Sequence, residues 1–295
     1  MKPISIRKGK RSETLSYEEH MAVKRVCGQI GWLASTNRPD LAYAAMKLAT
    51  FTPQSTLKDL KYVNQIVEKV HSRPSVMSFE KIGKTEDLIV YGFADASFKF
   101  GEKAVGGQYV MLGVKGSNKI QSLYWKSKMI RKVVRNAKEA ETVNLGTVVD
   151  MTRHTANQIS QLLFGGRRRQ RNLEVEIFID NAATLDSIAS SKQVERRLLR
   201  NDVEYLKQML EFGEVSSFKW IQDELMLSDI LTKDKKQKIG LDDVLEKNKL
   251  DVVLKNEDMV VYEEGEFSIK GSGLERKLIP KPKTPKRRKK KVQDS

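Results

Sequence analysis

The distribution of apolar residues predicts an α/β chain: a mixed five-stranded sheet with helices on both faces, preceded by a small helical segment. Three observations carry this. Apolar residues recur near a 3.6 period from Ser16 to Val70, the pattern then changes to short β-rich runs bounded by glycines, and helical and strand patterns alternate from Ala137 onward. Three strands in a meander followed by helix, strand, helices, strand and helix form a mixed sheet that needs helical cover.

The first helix is read from Tyr17, Val23, Val26, Ile30 and Leu33. It breaks at Asn37-Arg38-Pro39-Asp40, where proline suits the first turn of a new helix and Asp40 its positive dipole end. Leu41, Ala45, Leu48 and Phe51 carry the second helix, and a third spans Thr56 to Ser72. Leu88 to Phe93, Gln108 to Val114 and Gln121 to Lys126 read as strands. Ala137 to Phe164 is a long helix closed by Gly165-Gly166, Glu174 to Ile179 a fourth strand, and Ala182 to Ala189 a short helix. Arg196 to Phe212 is helical, Val215 to Ile221 is a fifth strand, and Glu224 to Lys233 a last helix.

Charge and cysteine usage narrow the classes. The 295 residues carry a formal net charge of +16, and Lys270 to Ser295 supplies +9 of it through 11 Lys and Arg against Glu275 and Asp294. Such an excess makes nucleic acid the first partner to expect. A lone Cys27 and three dispersed histidines, His20, His71 and His154, exclude an internal disulfide and a thiolate zinc cage and point to a reducing compartment. The basic start lacks an apolar signal-peptide core, and no run reaches the roughly 18 apolar residues of a membrane span.

Four carboxylates stand where this topology brings chain ends together: Asp95 ending the first strand, Glu141 early in the long helix, Asp180 ending the fourth strand, and Asp229 in the last helix. Like charges so close raise one another's pKa, and an oxygen-rich cluster suits Mg²⁺ or Mn²⁺, with two ions as the natural counter-charge. Two such ions promote in-line attack of water on a phosphodiester without a cysteine or histidine nucleophile. Asp180 and Asp229 have an alternative reading as a turn residue and a helix cap.

Short motifs at those residues carry a family resemblance. Gly92-Phe93-Ala94-Asp95-Ala96, Trp125-Lys126-Ser127-Lys128, Lys138-Glu139-Ala140-Glu141, Ile177-Phe178-Ile179-Asp180-Asn181 and Ser228-Asp229-Ile230-Leu231-Thr232-Lys233 follow in order over about 150 residues. Together they resemble the RNase H domain that closes copia-type LTR retrotransposon Pol polyproteins. Gly28-Gln29-Ile30-Gly31-Trp32-Leu33-Ala34 and Thr36-Asn37-Arg38-Pro39-Asp40-Leu41-Ala42-Tyr43 are similar to the segment after the palm of the matching reverse transcriptases. The chain departs from the family at Lys103-Ala104-Val105-Gly106-Gly107, where hydroxyl-bearing residues are usual, and at the basic insert Arg167-Arg168-Arg169-Gln170-Arg171.

The resemblance implies an RNase H-like domain over residues 86–235 after a thumb- or connection-like helical segment over 16–80, with a basic segment at 1–15, an extension of uncertain fold at 236–270 and a basic disordered tail at 271–295. It implies metal-dependent cleavage of the RNA strand of RNA/DNA hybrids, with Asp95 shared by two Mg²⁺ or Mn²⁺ ions and Glu141, Asp180 and Asp229 as the other ligands. The alternative is a catalytically inactive nucleic-acid-binding remnant of a mobile element. Lys103, Asn181, Arg167, Arg168 and Arg169 are the expected nucleic-acid contacts, the hybrid and the rest of a reverse transcriptase the expected partners, and nucleus or cytoplasm the expected compartment. Glu139 reads as a solvated neighbour of the site, His154 as a surface or packing residue, and Trp32, Trp125 and Trp220 as core.

Overall fold

The computed structural model describes residues 1–52, 54–74, 77–99, 103–165, 172–190, 196–233, 241–250 and 261–263. Helix α1 (Tyr17–Thr36) starts at a capping box in which Ser16 and Glu19 satisfy each other's backbone N–H groups. Its buried stripe is His20, Val23, Val26, Ile30 and Ala34. At 100° per residue Trp32 falls on the far side of that stripe and is 66% exposed, so it is not core; Tyr17 is exposed for the same reason. Proline at the break starts a short 3₁₀ turn, Pro39–Leu41, before α2 (Ala42–Leu48), and the buried Arg38 guanidinium grips Asp40 through two bonds of 2.8 and 2.9 Å. A second capping box, Thr56 with Asp59, opens α3 (Leu57–Ser72), and the three helices close on a shared core of Val23, Ile30, Leu41, Leu60 and Val63.

The sheet runs β3-β2-β1-β4-β5-β6, with β1 (Leu88–Ser97), β2 (Val105–Val114), β3 (Ile120–Met129), β4 (Glu174–Ile179), β5 (Ser217–Trp220) and β6 (Val261–Glu263). β1 pairs antiparallel with β2, and β2 with β3; β1–β4 and β4–β5 are parallel; β6 returns antiparallel along β5. The first five strands thus have the mixed RNase H-like order expected from the sequence, and β6 adds a sixth from the stretch whose fold the sequence left open. Alternation along β1 sends Val90 and Ala94 to one face and Ile89, Tyr91 and Phe93 to the other. Helices α4 (Ala137–Phe164), α5 (Ala182–Ala189) and α6 (Arg197–Glu211) cover the first face. Met226, Leu227 and Leu231, together with α7 (Leu241–Leu245), cover the second.

One predicted element differs in kind. Glu224 to Lys233 is not an α-helix but two 3₁₀ turns, Asp223–Leu225 and Leu227–Leu231, separated by an extended Met226. Met226, Leu227 and Leu231 are all buried against the sheet, and the extended Met226 between the two turns breaks the helical path that the sequence pattern suggests, so tertiary packing overrides local helix preference. The extension 236–270 contributes α7 and β6, while the predicted tail 271–295 and the insert Arg167 to Arg171 lie outside the described residues.

Candidate active site

Strand register sets two carboxylates side by side. Ala94 pairs with Ile179 in the parallel β1–β4 ladder, so the next residues, Asp95 and Asp180, stand side by side on neighbouring strands. Asp95 lies two residues inside β1 rather than at its end, because the strand continues to Ser97. Glu141 arrives from the other direction, in the second turn of α4, whose N-terminus is fixed by Asn136 capping the Glu139 N–H at 2.9 Å. One carboxylate oxygen from each of Asp95, Glu141 and Asp180 lies within 4.8 Å of the others.

Close approach of α4 depends on missing side chains. A Cβ at Gly106 would lie 2.2 Å from Asn144 Oδ1, and one at Gly107 would lie 2.7 Å from the Ser228 carbonyl oxygen. The space so left lets Asn144 donate to the carbonyls of Asp95 (2.8 Å) and Gly107 (2.9 Å), pinning α4 across β1 and β2 one turn after Glu141. On the opposite face it lets the Leu227–Leu231 turn settle on β2, bringing Asp229 and Thr232 to the site. The Thr232 hydroxyl donates to Asp95 Oδ2, and the Thr232 backbone N–H donates to the Asp229 carbonyl at 3.2 Å.

Asp95 is 1% exposed and Glu141 6%, and charge so deeply buried is costly. Burial, reinforced by Asp95 and Asp180, holds the Glu141 carboxyl well above its usual range. Burial, then Asp95 and Asp223, pushes Asp180 up to about 7, and burial likewise raises Asp95. Lys233 is the one cation of the described residues that reaches the cluster, 3.8 Å from Asp95 Oδ2 and in direct contact with Asp229 Oδ1. Although burial opposes it, the neighbouring Asp95 and Asp229 charges keep this ammonium above its ordinary pKa. Three hard oxygen donors with too little positive charge between them form a donor set that suits Mg²⁺ or Mn²⁺.

Asp229 belongs to the same neighbourhood but not to the three-oxygen group; Lys233 and Thr232 link it to Asp95. Asn181 caps α5 through its side-chain oxygen, which accepts from the Thr184 N–H at 3.0 Å, and Lys103 is exposed between β1 and β2. Arg167, Arg168 and Arg169 lie outside the described residues. Glu139 is buried rather than solvated: it accepts from the Arg135 N–H at 2.9 Å and pairs with Arg196. His154 is exposed, Trp125 buried, and Trp220 donates its indole N–H to the Asp180 carbonyl at 2.8 Å.

Four residues of the site escaped the sequence reading as functional groups: Asn144, Asp223, Thr232 and Lys233. Thr232 and Lys233 stood inside the Ser-Asp-Ile-Leu-Thr-Lys motif, and Asn144 stood three residues after Glu141, on the same helical face. Asp223 carried no local signal.

No protein-family model matches this chain, and a search of curated proteins finds no match. Among solved structures, it is similar to RNase H1 from Halobacterium salinarum NRC-1, with 13% identity and a TM-score of 0.35, over 48% of this chain and 92% of that one. It is also similar to LC11-RNase H1 in complex with an RNA/DNA hybrid (17% identity, TM-score 0.34, 49% and 92% covered). A third is the N-terminal RNase H domain of a Mycobacterium tuberculosis protein (13%, 0.34, 50% and 92%).

Proposed function

We propose that the chain is a metal-dependent endonuclease that cleaves the RNA strand of RNA/DNA hybrids. The observation that carries this reading is the convergence of Asp95, Glu141 and Asp180 at one end of the sheet, buried and short of counter-charge. Asp95, Glu141 and Asp180 would hold divalent cations, with Asp229 the fourth ligand across the Leu227–Leu231 turn. When bound, two such ions supply Lewis-acid stabilisation and a water of lowered pKa, which is what phosphodiester hydrolysis needs.

The side chains of the site divide the remaining tasks. Carboxylates on adjacent strands, Asp95 and Asp180, present oxygens on one side of the cluster, and Glu141 presents its own from the N-terminal turns of α4. Asn144 and Thr232 keep Asp95 in place by binding its carbonyl and its carboxylate. Lys233 screens Asp95 from Asp229. The histidines stand elsewhere, His20 and His71 on α1 and α3 and His154 exposed on α4, so a side-chain nucleophile is not required of them. Selection of a hybrid would rest on its A-like shape and 2′-hydroxyls rather than on base sequence, with Lys103, Asn181 and the Arg167–Arg169 insert as backbone contacts.

The ordered motifs support a copia-type retrotransposon origin, in which residues 16–80 are the thumb- or connection-like end of a reverse transcriptase and 86–235 the nuclease. The Lys-rich tail 271–295 fits further nucleic-acid contact and a nuclear address. One observation favours the alternative of a binding-only remnant: an ammonium group already sits among the carboxylates.

The test is cleavage of a labelled hybrid with Mg²⁺ or Mn²⁺, with single-stranded RNA as control. Cutting of the hybrid that is lost in Asp95→Asn and in Asp180→Asn is the expected outcome. Tight binding with no turnover under either metal would leave the remnant reading.

A further inference from the structure

Lys233 does more at the carboxylates than screen them. It follows Asp229 by four residues, and its ammonium touches Asp229 Oδ1 while lying 3.8 Å from Asp95 Oδ2. The backbone sets that reach. Thr232, the residue before it, donates its hydroxyl to Asp95 Oδ2 and its backbone N–H to the Asp229 carbonyl, so the base of the lysine is fastened to both carboxylate-bearing segments. Its side chain is nevertheless 29% exposed, whereas both carboxylates it bridges are buried. A flexible four-carbon stem with solvent on one side can swing outward, while Asp95 in β1 and Asp229 in the turn packed on β2 stay where they are.

The carboxylates thus fall into two groups that share Asp95. Asp95, Glu141 and Asp180 present oxygens within 4.8 Å of one another, and Asp229 stands outside that group, joined to Asp95 through the ammonium. A divalent ion between Asp95 and Asp229 needs carboxylate oxygens at about 2.1 Å and is repelled by an ammonium a few ångströms away. Lys233 and such an ion therefore exclude each other. An ion among Asp95, Glu141 and Asp180 needs no oxygen that the Asp229–Lys233 contact uses.

We propose that Lys233 is a built-in competitor for the second cation: a first ion binds at Asp95, Glu141 and Asp180, and a second enters between Asp95 and Asp229 only by displacing the ammonium. This rests on the nuclease reading for the assignment of the carboxylates as ligands, and it makes their loading sequential. The apparent affinity for the second ion is lowered by the fraction of molecules in which the ammonium is withdrawn, so a fraction of about one in ten weakens that ion about tenfold. The displaced ammonium remains tethered beside the site, where a phosphodiester oxygen is the chemically matching partner for it. A displaceable ammonium also differs from the permanent one that a binding-only remnant would keep.

The experiment is titration of the full chain with Mn²⁺, the free ion being followed by its electron paramagnetic resonance signal, which gives the number of bound ions and the affinity of each. In the parent chain the first ion is expected to bind about tenfold or more tighter than the second. Lys233→Met keeps the stem and removes the charge, and it should tighten the second ion about tenfold with far less effect on the first. Lys233→Gln is a second neutral variant, so that a folding defect peculiar to methionine does not decide the outcome. Lys233→Arg should retain the parent's gap, and Lys233→Met/Asp229→Asn should lose the second ion again. Thermal melts separate competition from support of the turn. In chelator Lys233→Met should melt below the parent, because Asp95 and Asp229 lose their counter-charge, and in saturating Mn²⁺ that order should reverse. A lysine that only props the turn would lower both melting temperatures and tighten neither ion.

Two ions of equal affinity in the parent overturn the proposal, and so does a second-ion affinity that Lys233→Met and Lys233→Gln both leave unchanged. A parent chain that binds no divalent ion overturns it together with the nuclease reading. Otherwise the two fail separately. If ions load in sequence and the neutral variants close the gap, yet no variant and not the parent cuts a labelled hybrid, the nuclease reading falls and the role of Lys233 stands; if the parent cuts but the neutral variants match it in Mn²⁺ titration, only the role of Lys233 falls.

Discussion

Asp180 is the residue whose environment is most open to titration. Its carboxyl rises from 3.8 to about 7 because it is buried beside Asp95 and Asp223. Between about pH 4 and 7 the folded chain therefore holds more protons than the unfolded one, and its stability without divalent ions falls as pH rises through that window. At about 1.4 kcal/mol per unit the difference is on the order of 4 kcal/mol. Thermal melts in chelator should show the melting temperature dropping from acid to neutral pH, with a flatter profile in Asp180→Asn; addition of Mg²⁺ or Mn²⁺ should raise it again at neutral pH. A flat profile in the parent chain would contradict the burial described for this group. Asn144 gives a second test at this scale. Its amide serves two buried carbonyls, so Asn144→Ala leaves both without that donor, and chemical denaturation should register a loss of roughly 1–3 kcal/mol or more. The four carboxylates could be picked out in the sequence because each sits in a short motif beside a recognisable strand or helix boundary. Asp223 could not, since its influence on Asp95 and Asp180 arises only once the chain after β5 has turned back over the sheet.

At the level of elements, β2 carries the tightest constraint. Gly107 faces the Leu227–Leu231 turn so closely that a methyl group would lie 2.7 Å from backbone and 2.8 Å from Thr232 Cγ2. Gly107→Ala should therefore cost about 1–3 kcal/mol and lift the turn that carries Asp229 and Thr232. Metal titration followed by the melting temperature should show weaker stabilisation than in the parent, with Asp95, Glu141 and Asp180 all still present. An unchanged response would mean that the turn contributes nothing to ion binding. Long elements were legible from periodicity: α4, β4 and α5 begin and end at the expected residues, because N-caps Asn136 and Asn181 and the terminal Gly165 mark them locally. The last element was not. Ser228 to Lys233 is apolar and polar at helical spacing, and burial of Met226, Leu227 and Leu231 on one surface would suit a helix equally; the extended Met226 that divides the segment into 3₁₀ turns carries no local signal. Trp32 was misread for a related reason: a large aromatic invites assignment to the core, but its angular position, 200° from Ile30, decides exposure.

On the scale of the whole molecule, the helical segment and the sheet meet along α2, β3 and the turns before Thr232, and the Trp125–Ala34 bond crosses that boundary. Trp125→Phe keeps most of the ring volume and removes the donor, leaving the Ala34 carbonyl without that partner. A loss of about 1–2 kcal/mol and faster proteolysis between residues 72 and 88 are expected. Equal protease resistance in parent and variant would show that apolar contact alone holds the two parts together. Among the described residues no helix is long and apolar enough to cross a membrane. The extension adds a consequence of a different kind. Residues 241–250 close the second face of the sheet and are stitched to distant chain: Ile120 N–H donates to the Asn248 carbonyl, Leu250 N–H to that of Asn118, and Ser78 N–H to that of Leu245. During synthesis the three N-terminal helices emerge long before this clasp exists. At 5–20 residues per second the interval from residue 72 to residue 250 is on the order of 10–35 s. From residue 125 onward, for about 6–25 s at the same rate, the nascent chain carries a sheet face, with Tyr91 and Tyr109 on it, that its own later residues have yet to cover.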